Sequence, residues 1–196
     1  MGQKKIKFKN ITISGFSGSG SSTLGRLLAK ELGWEYFSGG DFMRQYAIEK
    51  GLLDPRNPMH HSATIYSDEF DRETDYKMRS WLINREHLII DSWLAGFLAQ
   101  KIGGVFKVLL FCSKDEIRVD RIVNRDGIEV ETAKKHIFER ERANIAKWTR
   151  MYQQEWLNWV GKMPIDFYQP RLYDLAIDTY SNSKEQVLNQ VLEALC

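Results

Sequence analysis

The chain has 196 residues, 43% hydrophobic and 12% aromatic, which is enough for one sizeable core and excludes disorder as its main state. Lys and Arg total 28 against 26 Asp and Glu, a formal charge of +2, which excludes a nucleic-acid binder working by bulk charge. Any anion site must therefore arise from the local placement of charges.

The basic start (1–9) lacks the apolar stretch of a signal peptide, and Cys112 and Cys196 cannot form a disulfide framework. The most apolar stretch, 88–99, is interrupted by Asp91 and Ser92 and is too short to span a bilayer. A soluble cytoplasmic protein with free thiols is expected, with neither a membrane nor a nucleic-acid polymer as partner.

In chain order, 11–14 is a β-branched run and reads as a buried strand that stops at a glycine cluster. Leu24, Leu27, Leu28 and Leu32 then repeat at helical spacing up to Gly33. Residues 34–37 read as a second strand, with Asp41 as cap of a helix running to Gly51. Pro55, Asn57 and Pro58 mark 52–61 as a loop, in which His60 and His61 lack the partners of a metal site. A polar helix is expected over 65–84, core strands at 88–91 and 105–111, and a helix over 114–124. One long charged helix is expected over 132–159 and a last strand at 175–178. Val187, Leu188, Val191, Leu192 and Leu195 give a closing helix its apolar stripe. Strands alternating with helices predict a single α/β domain over 1–196, its mostly parallel sheet covered on both faces. Ligands then belong at the carboxyl ends of the strands.

Between the first strand and first helix lie Gly15, Phe16, Ser17, Gly18, Ser19, Gly20, Ser21, Ser22 and Thr23. Glycines at this spacing let successive backbone N–H groups turn inward around a phosphate, and the helix N-terminus adds its dipole. Ser22 takes the hydroxyl position that ligates Mg2+, whereas Ser21 stands where the phosphate-loop signature has lysine. The alternative is a strand-to-helix turn without a ligand.

The ordered motifs resemble those of the archaeal-type cytidylate kinases, P-loop nucleoside monophosphate kinases. The resemblance rests on the glycine loop, 37–44, 70–75, 91–97, 118–125, 139–142 and 173–179. It implies a P-loop NTPase fold with a five-stranded parallel sheet, a small acceptor-binding region (about 38–85) and a helical lid (about 118–160). It also implies ATP and Mg2+ as cofactors, with a nucleoside monophosphate (CMP first) as phosphoryl acceptor and a monomer or weak homodimer as the working form.

By the same resemblance, Ser38, Asp41 and Arg44 line the acceptor site, and Asp91 with Ser22 holds Mg2+. Asp91 as a helix cap is the alternative. Arg118, Arg121, Arg125, Arg140 and Arg142 would close over the transferring phosphoryl group, and a solvated charged face is the alternative for these arginines. Trp93 replaces a phosphate-gripping arginine of many relatives, and stacks on the acceptor or packs in the core. Asn144 and Lys147 occupy the neighbourhood in which relatives read cytosine. Trp148, Tyr152, Trp156 and Trp159 share one helical face, as core or as a subunit contact. Two further readings stay open: a nucleotide-binding protein without catalysis, motivated by Ser21 and Trp93, and a kinase of another small acceptor.

Overall fold

β1 (Asn10–Gly15) is buried along its whole length and forms the centre of a five-stranded, all-parallel sheet. The computed structural model describes residues 6–54 and 65–196, so His60, His61 and the prolines beside them lie outside the described residues. The remaining strands are β2 (Glu35–Ser38), β3 (Leu88–Asp91), β4 (Val105–Phe111) and β5 (Leu175–Asp178), in the spatial order β2-β3-β1-β4-β5. The last three match the sequence reading residue for residue. Each is a short, mostly apolar run; β3 is buried along its whole length, and β5 lies at the sheet edge with Ala176 exposed.

The helices are α1 (Ser21–Leu32), α2 (Gly39–Glu49), α3 (Asp68–Asn84), α4 (Ala95–Leu98) and α5 (Asp115–Asp126). They continue with α6 (Val130–Lys134), α7 (Arg140–Met151), α8 (Gln153–Trp159) and α9 (Lys184–Ala194). Strand periodicity divides the core into two layers. Ile11, Ile13, Ile89 and Val108 pack with Leu24 and Leu28 of α1 and Val187 and Val191 of α9. Leu88, Ile90 and Leu109 face the opposite layer, built from α3, α4, α7 and α8.

Two boundaries depart from the sequence reading. Ser38, not Asp41, caps α2: its Oγ accepts the Asp41 N–H at 3.2 Å, so Asp41 lies inside the first turn. The stretch expected as one helix over 132–159 is broken twice. A π-helical turn, Lys135–Glu139, joins α6 to α7, and the chain breaks again at Tyr152. At that second break the Met151 carbonyl accepts a hydrogen bond from Arg72 of α3, which satisfies the group left free by the interrupted helix.

α3 is clasped to α7 and α8 by polar contacts. Arg72 also pairs with Glu155, and Lys147 reaches Asp71 at 2.7 Å and the Tyr66 carbonyl at 2.8 Å. The Tyr152 hydroxyl donates to Asp75 at 2.6 Å. Trp148, Tyr152 and Trp156 are buried in the main core, where Tyr152, Trp156 and Trp159 surround Phe97 with ring centroids 5.2–5.8 Å from it. The aromatic stripe is thus core of its own chain. A lid reaching from 118 to 160 therefore divides in two: the part from Trp148 onward belongs to the core, because its aromatic rings fill the space beside Phe97.

Burial raises the Asp75 carboxyl from the ordinary value of 3.8 to about 7, against the lowering effect of the Tyr152 hydrogen bond. The folded chain therefore holds a proton that the unfolded chain releases. This contribution to stability is complete below the unfolded value of about 4 and is lost as pH rises through about 7. The variant Asp75→Asn keeps the acceptor for Tyr152 and stays neutral, so its melting temperature should gain on the wild type as pH rises across that window. Thermal melts at a series of pH values check this; a gap that stays constant with pH contradicts it.

Candidate active site

The glycine loop runs from the carboxyl end of β1 into α1. Ser19 N–H donates to the Phe16 carbonyl at 3.0 Å, closing the turn. Gly18 has φ +81°, and a Cβ there would lie 2.9 Å from the Arg118 backbone oxygen, so a side chain is excluded on both grounds. Gly20, in the left-handed region, is the N-cap of α1. That helix start has no side-chain cap and no acidic residue in its first turn. The N–H groups of Ser21, Ser22 and Thr23 and the positive dipole end therefore face outward together, as an anion site requires. Ser17 and Gly18 turn their carbonyls outward, and Ser19 is fully buried against Gly15.

At the end of the neighbouring strand β3, Asp91 accepts hydrogen bonds on one oxygen from Ser22 Oγ at 2.6 Å and the Tyr36 hydroxyl at 3.0 Å. Burial raises the Asp91 carboxyl above its ordinary value, while hydrogen bonds from Ser22, Ser21 and Tyr36 work in the opposite direction. Burial, with the Asp91 charge second, raises the Tyr36 phenol. Asp91 caps nothing, since the N-cap of α4 is Leu94. Ser22 and Asp91 together present the oxygen donors that suit Mg2+, which usually takes one or two protein ligands and completes its shell with phosphate and water. Among the described residues no group of three or more His, Cys, Asp or Glu side chains offers an alternative metal site.

On the other side of Asp91 lies a cavity of about 90 Å3, lined by the first turn of α2, one face of α3, Ser92, Trp93, Leu94 and α7. Gly39 lets α2 come close, for a Cβ there would stand 3.1 Å from that of Ser92. Gly39 and Gly40 of the first turn of α2 thus form part of the cavity wall. Arg44 is mostly covered and pairs with Asp41, which is exposed and also reaches Arg26 at 3.4 Å.

The five arginines expected to close over the phosphoryl group, and Arg150 further along the same segment, separate. Arg118 is buried, donates to the Ser17 carbonyl at 3.0 Å and pairs with Asp115 and Glu141. Arg121 ties the Gly18 carbonyl to Thr179, with hydrogen bonds of 2.8–2.9 Å. Arg125 pairs with its neighbour Asp126, Arg142 with the Phe138 carbonyl, and Arg150 with Asp68. Arg140 alone turns into the cavity, its guanidinium 5.4 Å from the ring centroid of Trp93. Burial and then the charge of Arg44 bring it down to about 10, which leaves it protonated at neutral pH. Trp93 itself packs edge-on against Phe16 (5.9 Å) and Trp148 (5.5 Å). It is both core and the platform for a cation.

The structure therefore brings together Ser22 with Asp91, and Trp93, Arg140 and Asn144 around one cavity, while Ser38 and Arg44, at the N-cap and within α2, are not among its lining residues. It leaves Arg125 and Arg142 outside. Tyr36 was not singled out from the sequence, nor were Asp71, Thr74 and Asp75, which line the cavity. The last three sit within the 70–75 motif at helical spacing, and that periodicity was the available signal.

The model of the "Cytidylate kinase-like family" matches residues 10–181. The cytidylate kinase of Haloarcula marismortui is 33% identical, with 94% of this chain and 88% of that protein covered. An S-adenosylmethionine-dependent nucleotide dehydratase of Lacinutrix mariniflava is also 33% identical, over 93% of this chain but 35% of that longer protein. Among solved structures, a gluconokinase from Sinorhizobium meliloti shares the fold with a TM-score of 0.59 at 15% identity, covering 97% of this chain and 93% of its own. With its glycine loop and parallel sheet in this order, the chain belongs to the cytidylate kinase-like family of P-loop kinases.

Proposed function

We propose that the protein transfers the γ-phosphoryl group of ATP to a nucleoside monophosphate, with CMP as the first acceptor. One observation carries the reading: Asp91 turns to the glycine loop while the next two residues, Ser92 and Trp93, line the acceptor cavity. The donor and acceptor sites thus share one strand end, the placement an in-line transfer requires.

In this reading the backbone of Gly15, Ser17, Gly18, Ser19, Gly20, Ser21, Ser22 and Thr23 cradles the ATP phosphates. Ser22 and Asp91 hold Mg2+, which when bound neutralises charge on the phosphates. Arg44 and Arg140, with the first turn of α2 capped by Ser38, grip the acceptor phosphate, and Asp41 orients Arg44. Arg140 on Trp93 supplies a cation where many relatives carry an arginine in the chain at 93. Arg121, Arg125 and Arg142 act in a closed form, where the segment 115–147 excludes water and supplies the charge absent at Ser21. The protein works in the cytosol as a monomer or weak homodimer, on free nucleotides and not on a nucleic-acid polymer or membrane.

A coupled ADP-release assay across the common nucleoside monophosphates tests this. One acceptor should raise turnover well above the rate with ATP alone; no response to any of them sinks the proposal. In Arg44→Ala the KM for the acceptor should rise roughly 10- to 100-fold while the KM for ATP holds.

A second reading, ATP binding without transfer, is favoured by Ser21 and by the engagement of Arg118 and Arg121 with loop carbonyls. Ser21→Lys separates the two. Little change in turnover means that the lid supplies the charge, and a gain from near zero supports the binding protein.

A further inference from the structure

The glycine loop carries one large apolar side chain, Phe16, and it is half-buried among groups from three other parts of the chain. The Tyr168 ring lies against it with centroids 4.0 Å apart, and Trp93 meets it edge-on at 5.9 Å. The Arg118 guanidinium stands 5.5 Å from the same ring. Such distances are those of interacting rings and of cation–π contacts.

Trp93 continues the row. Its other neighbours are the Trp148 ring at 5.5 Å and the Arg140 guanidinium at 5.4 Å, and all three residues line the cavity beside α2, whereas Phe16 does not. A line of touching side chains therefore runs from the glycine loop to the cavity. A polar line runs beside it: Arg118 donates to the Ser17 carbonyl at 3.0 Å and pairs with Glu141, the residue after Arg140. The loop also has a point at which a ligand acts on this line. The Phe16 carbonyl accepts the Ser19 N–H at 3.0 Å, which closes the turn that a phosphate has to fit. A phosphate that draws on this N–H weakens its bond to Phe16 and so moves the residue whose ring rests on Trp93.

We propose that Phe16 is a positioning residue that couples the two sites: phosphate binding at the glycine loop acts through its ring on Trp93, which sets Arg140 for the acceptor. The phosphate donor therefore tightens acceptor binding, and by thermodynamic linkage the acceptor tightens the donor by the same factor. The proposal rests on the nucleoside monophosphate reading above and adds to it a residue outside the acceptor cavity. With tryptophan at 93, contact with the acceptor passes to Arg140 and comes under the control of the loop.

Calorimetric titration of CMP, alone and with a non-hydrolysable ATP analogue and Mg2+ already bound, measures the coupling. In the wild type the analogue should tighten CMP binding roughly 5- to 100-fold, the usual size of a coupling between two sites. Phe16→Leu keeps the apolar bulk and removes the aromatic ring. In that variant the factor should fall below about twofold, while CMP alone and the analogue alone each bind within about threefold of the wild type. A general loosening of the fold would instead weaken each ligand alone. A wild-type factor in folded Phe16→Leu overturns the proposal, as does a wild type without coupling. If CMP does not bind, the acceptor reading fails separately, and fluorine NMR of protein labelled with fluorotryptophan judges the step from loop to Trp93. The Trp93 resonance, assigned by its loss in Trp93→Phe, should shift when ADP and Mg2+ are bound, and an unmoved resonance overturns the proposal. The same spectrum decides the matter if Phe16→Leu does not fold.

Discussion

The hydrogen bond between Ser22 and Asp91 is the constraint on which the rest of the site depends. It joins the first turn of α1 to the carboxyl end of β3, and Tyr36 on β2 holds the same carboxylate oxygen. Two neighbouring strands of the sheet and α1 are therefore locked together at one buried carboxyl. Burial disfavours its charge, and the three hydroxyl donors around it make it tolerable. Because β3 ends there, the chain turns at once into Ser92 and Trp93, and the acceptor cavity is built against the reverse side of the same corner. In the proposed reading, donor and acceptor sites stand side by side as a consequence of strand order, with no long loop needed to bring them together.

Much of this was legible in the sequence, and the reason differs by element. The strands at 88–91, 105–111 and 175–178 announce themselves as short, mostly apolar runs, interrupted in 105–111 only by the half-buried Lys107, that end at an acid or aromatic residue. The glycine loop is legible because its spacing is a backbone requirement, and Gly18 meets it with a positive φ hard against Arg118. The helix over 132–159 was misjudged because composition alone offers no breaker. Tyr152 ends α7 through a tertiary contact from Arg72, which no local pattern encodes. Asp71 and Asp75 were hidden for the opposite reason. On a helix as charged as α3 they look solvated, and only the packing of α7 and α8 buries them.

The near-neutral total of charge proves to be a matter of arrangement. Arg118 and Arg121 are spent on the outward carbonyls of the glycine loop, where they brace its curvature and tie it to α7 and β5. Arg140 lines the cavity beside α2, resting on Trp93, with Arg44 near enough for its charge to act on it. In the proposed reading, an arginine missing from one position of the chain is matched by Arg140 reaching in from another helix.

The account stands on Asp91 serving both the fold and the transfer step. The most direct measurement is turnover of Asp91→Asn at saturating ATP, Mg2+ and acceptor, alongside its melting temperature. The amide keeps the size and accepts the same hydroxyls without a buried charge, so the account predicts a fold at least as stable as the wild type and a kcat lower by about 100- to 1,000-fold. A stable variant that turns over at the wild-type rate would contradict it.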